Sequence, residues 1–225
     1  YNIAMPPGIE LLQKSEAEQQ QVLAGGFDKA QDFDDGLRFR ALEYVREELE
    51  GIKSRIADVV LLFGSEFTQE NLLQFLSEGR FSVVHFSTHG LFGSDLDRTF
   101  IVAANKERIY AKDLVELIRS GTREEATIVE LLVLSACETA EGDDRAVLGL
   151  AGIAVRSGAR STLASLWVAN DSITKDLMLN FYQYWQQDGL PKAEALRKAQ
   201  LELIERNFPE PTHHWANFII VGHWR

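Results

Sequence analysis

Two spacings of apolar positions divide the chain. Over residues 37–56, Leu42, Val45, Leu49, Ile52 and Ile56 recur at steps of three and four, the stripe of an amphipathic helix that covers one face of a sheet. Further on the apolar residues come instead in continuous β-rich runs: "DVVLLF", "FSVVHFST", "IVELLVLSA", "RSTLASLWV" and "ANFIIVG". Runs apolar on both faces predict central parallel strands. Helical patterns at 69–77, 111–120, 171–187 and 191–206 separate them, and residues 99–113 read as a small hairpin leading into a helix. Strands alternating with helices predict an α/β layer sandwich with a mainly parallel sheet. Residues 1–40 mix a short polar helix pattern with Gly and Asp breakers. They are set apart as an N-terminal segment with no role assigned, and the domain proper is expected over 41–225. There is no internal repeat, low-complexity tract or obvious linker after residue 40.

Two of the apolar runs end on reactive side chains. "FSTHGLF" delivers His89 followed by Gly90, and "LLVLSACETA" delivers Cys137, the only cysteine, 48 residues later. In an open parallel sheet the ligand site lies outside the carboxyl ends of the strands. If the two strands are neighbours, thiol and imidazole face each other there. Imidazole can take the thiol proton, and the thiolate is the stronger nucleophile for a carbonyl carbon. The oxyanion that forms needs donors, and the backbone N–H groups of Gly90 and Cys137 are the candidates. Singly, each residue also has a bland reading: a buried cysteine packed as a small hydrophobe, and a satisfied histidine at a turn. Position and spacing alone leave both readings open.

Composition narrows the classes. A chain of 225 residues with 45% hydrophobic content can bury a real core, and its unbroken apolar runs of a few residues are far too short for a membrane helix. The net charge of −11 argues against a nucleic-acid groove. One cysteine makes no internal disulfide, which points to a reducing compartment, the cytoplasm. The start at Tyr1 is expected to reflect either processing or, the favoured reading, excision from a longer protein with neighbouring domains missing. No metal is expected: His213 and His214 are adjacent and, with His223, lack any zinc-ligand spacing. No phosphate-cradling motif occurs either, so no cofactor is expected. Leu177, Phe181, Tyr184 and Trp185 at helical spacing read as core, and His85 as a hydrogen-bonded interior histidine. The acids Glu138, Glu141, Asp143 and Asp144 beside the thiol would disfavour thiolate unless His89 is close and protonated.

The stretches "VVHFSTHGLF", "LLVLSACETA", "VLGLAGIAVRSGARSTLASLWVANDSIT", "ALRKAQLELI" and "HHWANFIIVGHW" resemble, in order and spacing, the CHAT domain. This caspase-like family is often attached to tetratricopeptide repeats in bacteria. The resemblance covers roughly residues 40–225 and implies a caspase-like three-layer sandwich with a mainly parallel central sheet flanked by helices. It places His89 and Cys137 in the dyad positions of a cysteine peptidase. Ser87, Gly90, Ser135, Ala136, Glu138 and Thr139 match the surrounding motif residues. Asp171 matches the aspartate of the family's "SLW…D" stretch. It also implies a protein substrate and a tetratricopeptide-repeat regulatory domain or activator.

The expected function is therefore a cysteine endopeptidase regulated by a flanking domain or partner, with no nucleic-acid or membrane partner. The alternatives are an inactive caspase-like interaction domain for signalling and a redox-sensing thiol, and the second leaves His89 unexplained. Metacaspases carry an aspartate two residues before the cysteine and caspases a glutamine; Ser135 stands here, so neither specificity transfers. Electrostatics remains. No arginine lies within five residues of either dyad member, and Asp95, Asp97, Glu138 and Asp171 are expected near the rim. Cleavage after Arg or Lys is expected, with Asp171 as the pocket carboxylate.

Overall fold

Strands that are apolar on both faces need cover on both sides, and here they receive it. The structure is a computed structural model and describes residues 4–5, 20–92, 97–120, 128–135, 138–139, 153, 156–167, 170–206 and 216–224. The strands are β1 (Ala4–Met5), β2 (Gln21–Gly26), β3 (Gln31–Asp32), β4 (Arg38–Phe39), β5 (Asp58–Phe63), β6 (Val83–Ser87) and β7 (Gly90–Phe92). Then come β8 (Phe100–Val102), β9 (Arg108–Tyr110), β10 (Leu131–Leu134), β11 (Glu138–Thr139), β12 (Ser161–Ser165) and β13 (Phe218–Gly222). The helices are α1 (Val45–Lys53), α2 (Gln69–Ser77), α3 (Ala111–Ser120), α4 (Asp171–Tyr182) and α5 (Lys192–Glu205).

Among the described residues the central sheet has seven strands in the order β1-β13-β12-β10-β6-β2-β5, parallel throughout except for the β12–β13 pair. Successive residues of its core strands feed opposite layers. Val84, Phe86, Leu132 and Leu134 pack with Leu72 and Leu76 of α2 and Leu114 and Leu117 of α3. Val83, Leu131 and Val133 pack with Val45 and Leu49 of α1, Leu177 and Phe181 of α4, and Leu196 and Leu203 of α5. This is the α/β sandwich that the apolar runs predicted. A smaller sheet, β11-β7-β8-β9, and the β3–β4 hairpin sit beside the carboxyl ends of the central strands.

Three details differ from the expected pattern. "DVVLLF" is not central: as β5 it is the edge strand and most of it is only half-buried. "ANFIIVG" becomes β13, which runs antiparallel to β12. The predicted helix over 37–56 starts only at Val45, because Arg38–Phe39 pair with β3 and the Leu42 N–H is held by the Asp28 carbonyl at 2.9 Å.

A central strand also lies in the stretch given no role. β2 sits between β6 and β5, although its "QVLAGG" ends on two residues that ordinarily break strands. The glycines are there for close approach. A Cβ on Gly25 would come within 2.6 Å of the Phe67 ring. One on Gly26 would lie 2.6 Å from the Ser87 carbonyl oxygen and from Val45 Cγ1.

Because the Ser87 oxygen is backbone and cannot swing away, Gly26→Ala is expected to cost about 1–3 kcal/mol in urea denaturation. Leu73→Ala, on the exposed side of α2, should stay within about 0.5 kcal/mol. Equal stability of the two variants would contradict the close approach of β2 to β6.

Candidate active site

β6 and β10 are neighbours and run parallel, with Phe86 opposite Leu134. The Ser135 N–H continues the ladder to the Phe86 carbonyl at 2.9 Å. Beyond the break the chain pairs again: Glu138 lies opposite Leu91 and Thr139 opposite Phe92, also parallel. The backbone on each side of Cys137 is thus in register with the backbone on each side of His89–Gly90. Ala136 and Cys137 themselves, with Asp95, Glu141, Asp143, Asp144, His213 and His214, lie outside the described residues, and only the backbone of Glu138 is described.

His89 is 7% exposed, and each part of it is held. Its carbonyl accepts the Val102 N–H at 2.8 Å, and the preceding Thr88 hydroxyl donates to the Val102 carbonyl at 2.6 Å. Its ring Nε2 lies 2.7 Å from the Arg40 carbonyl oxygen. A carbonyl can only accept, so Nε2 carries the proton and the lone pair of the neutral ring is on Nδ1. The Phe39 ring packs against the imidazole at 5.1 Å between centroids. Gly90 is glycine because a Cβ there would meet the Phe92 ring at 2.5 Å and the Phe100 carbonyl oxygen at 3.1 Å.

Arg40 and Phe39 belong to the segment that carried no role in the sequence. The β3–β4 hairpin is braced against the small sheet by Gln31 Nε2 donating to the Ala103 carbonyl at 2.8 Å and by an Asp35–Arg108 ion pair at 2.7 Å. The Arg108 guanidinium also covers the Phe33 and Phe100 rings at 4.2 and 4.9 Å. Its hydrogen bond holds the Asp35 carboxyl below the usual carboxylate range. No sequence signal marks a backbone carbonyl as a histidine acceptor.

Asp171 opens α4, next to Asn170, whose side chain caps that helix by accepting from the Ser172 and Ile173 N–H groups. One Asp171 oxygen accepts the Tyr44 N–H at 2.9 Å, joining the start of α4 to the start of α1. Burial pushes its carboxyl above the ordinary value and the Glu48 charge adds to this, while the Tyr44 N–H and the His89 charge pull it down. Asp171 and His89 are therefore within electrostatic reach of each other. Asp97 is exposed in the turn before β8.

Behind the site lies a polar cluster that the sequence reading met only at His85 and, as a motif residue, Ser87. His85 is buried, with Nε2 2.9 Å from Glu48 Oε1 and Nδ1 3.1 Å from the Tyr182 hydroxyl, and Ser87 Oγ donates to Glu48 Oε2 at 3.0 Å. Leu177 and Phe181 are core, with Tyr184 and Trp185 packed against it. His223 is at the opposite pole of the sheet, 3.7 Å from Glu130, which also pairs with the buried Lys192. Among the described residues no group of three or more His, Cys, Asp and Glu is placed to hold a metal, and no helix is long and apolar enough to cross a membrane.

The family model of the CHAT domain matches residues 1–223. No curated protein matches the sequence. Among solved structures the chain is similar to the complex of the Porphyromonas gingivalis RgpB pro- and mature domains and to the Arg specific cysteine proteinase gingipain R (RGPB). Each gives a TM-score of 0.58 at 8% identity over 91% of this chain. The match covers 47% and 46% of those chains, so this chain spans about half their length. At such identity the likeness is one of fold.

The raised Asp171 pKa has a signed consequence. An acid whose folded pKa exceeds its unfolded value takes up a proton on folding, so its contribution is most favourable at low pH. That contribution falls as pH rises from the ordinary carboxylate range through the raised folded value. Asp171→Asn keeps an acceptor for the Tyr44 N–H and does not titrate. It should match or exceed wild-type stability at pH 7 and lose that advantage toward pH 3 in urea denaturation. Asp171→Ala leaves the N–H unpaired and does not titrate either, so it should lie about 1 kcal/mol below Asp171→Asn at both pH values, its cost against wild type growing toward pH 3. An Asn variant weaker than the Ala variant at pH 7 would contradict this.

Proposed function

The chain belongs to the CHAT domain family, and we propose that it is a caspase-like cysteine endopeptidase with Cys137 as nucleophile and His89 as general base, then acid. The observation that carries the reading is the shared register of β6 with β10 and of β7 with β11, which brackets both residues at the carboxyl ends of neighbouring strands. The hydrogen bond from His89 Nε2 to the Arg40 carbonyl adds to it, since it leaves Nδ1 as the basic nitrogen.

In this mechanism His89 Nδ1 takes the Cys137 thiol proton and the thiolate attacks the scissile carbonyl carbon. The backbone N–H groups of Gly90 and Cys137 donate to the oxyanion. The imidazolium then gives its proton to the departing amine as the C–N bond breaks, leaving a thioester. Water, deprotonated by the same ring, attacks the thioester carbonyl, and the thiol is regenerated by the returned proton. The Arg40 carbonyl keeps the ring in one tautomer and orientation throughout, and Phe39 excludes water from one ring face.

The proposed substrate residue before the cut is Arg or Lys. Asp171 is half-buried, and burial raises its pKa; a cationic side chain beside it would favour its ionised form. Its carboxylate, which the backbone N–H groups of Tyr44 and Glu43 already hold in place, is the proposed pocket acceptor. Asp95, Asp97 and Glu138 are proposed to add negative potential at the rim. Gingipain R, by its description, is itself Arg specific. A tetratricopeptide-repeat flanking domain or activator is proposed to regulate turnover by ordering the loops around the site.

Cys137→Ala should abolish cleavage of a fluorogenic peptide with the fold intact by circular dichroism. His89→Ala should do nearly the same, and the double variant should be little worse than either single one. Undiminished turnover in Cys137→Ala would sink the assignment. Equal rates for this chain alone and for the intact protein with its activator would sink the regulation.

A peptide library varied only at the residue before the cut should show turnover of Arg and Lys peptides at least about tenfold above Asp and Glu peptides, with the preference reduced in Asp171→Ala. Preferred turnover of Asp peptides, or an unchanged preference in the variant, would reject Asp171 as the pocket carboxylate.

A further inference from the structure

The proposed reaction makes no use of the buried cluster behind His89. Glu48 and His85 are 0% exposed, as is Tyr182, and Ser87 is 1% exposed. Burial, reinforced by the Glu48 charge, holds the Tyr182 hydroxyl well above its ordinary pKa, so it keeps its proton and can donate to His85 Nδ1. His85 then donates from Nε2 to one Glu48 oxygen while Ser87 donates to the other. In this arrangement every donor meets one acceptor, and among the described residues the Glu48 carboxylate oxygens accept only from His85 and Ser87 in a dry interior.

The charge is also tied to the turn that carries His89. Ser87 precedes His89 by two residues, and its carbonyl lies within 3.3 Å of the Phe27 N–H, so it is gripped on both side chain and backbone. The titratable groups facing Glu48 are His85 from β6 and Tyr182 and Asp171 from α4. Among the described residues Asp171 from α4 faces His89, as Cys137 does in the proposed dyad, while Arg40 contributes only its backbone carbonyl. Asp171 senses the charges of both Glu48 and His89, so it lies within electrostatic reach of each.

We propose that Glu48 is a positioning residue for His89: through Ser87 it anchors the strand end that bears the imidazole, and its buried charge favours the imidazolium over the neutral ring. This rests on the dyad reading for its part in catalysis. A negative charge nearby raises a histidine's pKa, so removing it lowers that pKa.

The test is an NMR titration of the His89 ring in full-length Cys137→Ala protein, with the signal assigned by its loss in Cys137→Ala/His89→Ala. Adding Glu48→Gln, which keeps the shape, removes the charge and turns one acceptor oxygen into a donor that the Ser87 hydroxyl can accept from by rotating, should lower the His89 pKa by about half a unit or more. Tyr182→Phe loosens the same cluster and leaves the charge, so His89 should titrate as before. An unmoved titration in Glu48→Gln, or equal movement in both variants, would overturn the charge effect. Where Glu48→Gln does not fold, Ser87→Ala in the active protein tests the anchor: kcat should fall severalfold with KM and the alkaline limb of the pH profile unchanged, and an unchanged kcat would overturn it. The two readings separate cleanly. Full turnover in His89→Ala would overturn the dyad, and with it any catalytic role for Glu48, whereas an absent NMR shift overturns the present inference alone.

Discussion

Everything else in the molecule depends on the parallel pairing of β6 with β10. Each strand is buried along its whole length and alternates its apolar residues between two layers. A slip of one residue would turn Phe86 and Leu134 into the layer of α1 and α4 and send His85 into the other. Register is therefore strongly specified by burial. The same register sets the relative height of the two strand ends, so the packing that stabilises the sheet also aligns the segments that bear the proposed dyad.

That alignment is completed by parts of the chain with no reactive side chains. The β3–β4 hairpin brings the Arg40 carbonyl to His89 Nε2, and β8 holds the His89 backbone through Val102. Glycines at 26 and 90 let neighbouring backbone and rings come closer than any Cβ would allow. The imidazole is thus oriented before any substrate arrives, and preorganisation of this kind lowers the reorganisation needed during proton transfer.

The face toward α1 and α4 carries a polar cluster within an otherwise apolar layer. Burying Glu48 and His85 carries a desolvation penalty, which their mutual contact and the hydroxyls of Ser87 and Tyr182 offset. The fold likeness to the gingipain structures holds at 8% identity. A layered sheet needs only apolar strands of suitable length, so a shared fold is compatible with very different sequences.

Periodicity by itself determined the layered α/β architecture, the helices at 69–77 and 111–120, and the central strands β6 and β10, because burial on two faces leaves a continuous apolar run and a helix leaves a stripe. It did not reveal β2, whose glycines read as breakers until Phe67 and the Ser87 carbonyl are seen against them. Nor did it reveal Arg40 or Glu48: a backbone carbonyl is the same in every residue, and a glutamate inside a helical stripe looks like a solvated one. Tertiary structure decided these, along with the edge position of β5, the antiparallel course of β13 and the tie between Asp171 and Tyr44. Each depends on which distant segment lies alongside, a relation that one-dimensional spacing does not contain.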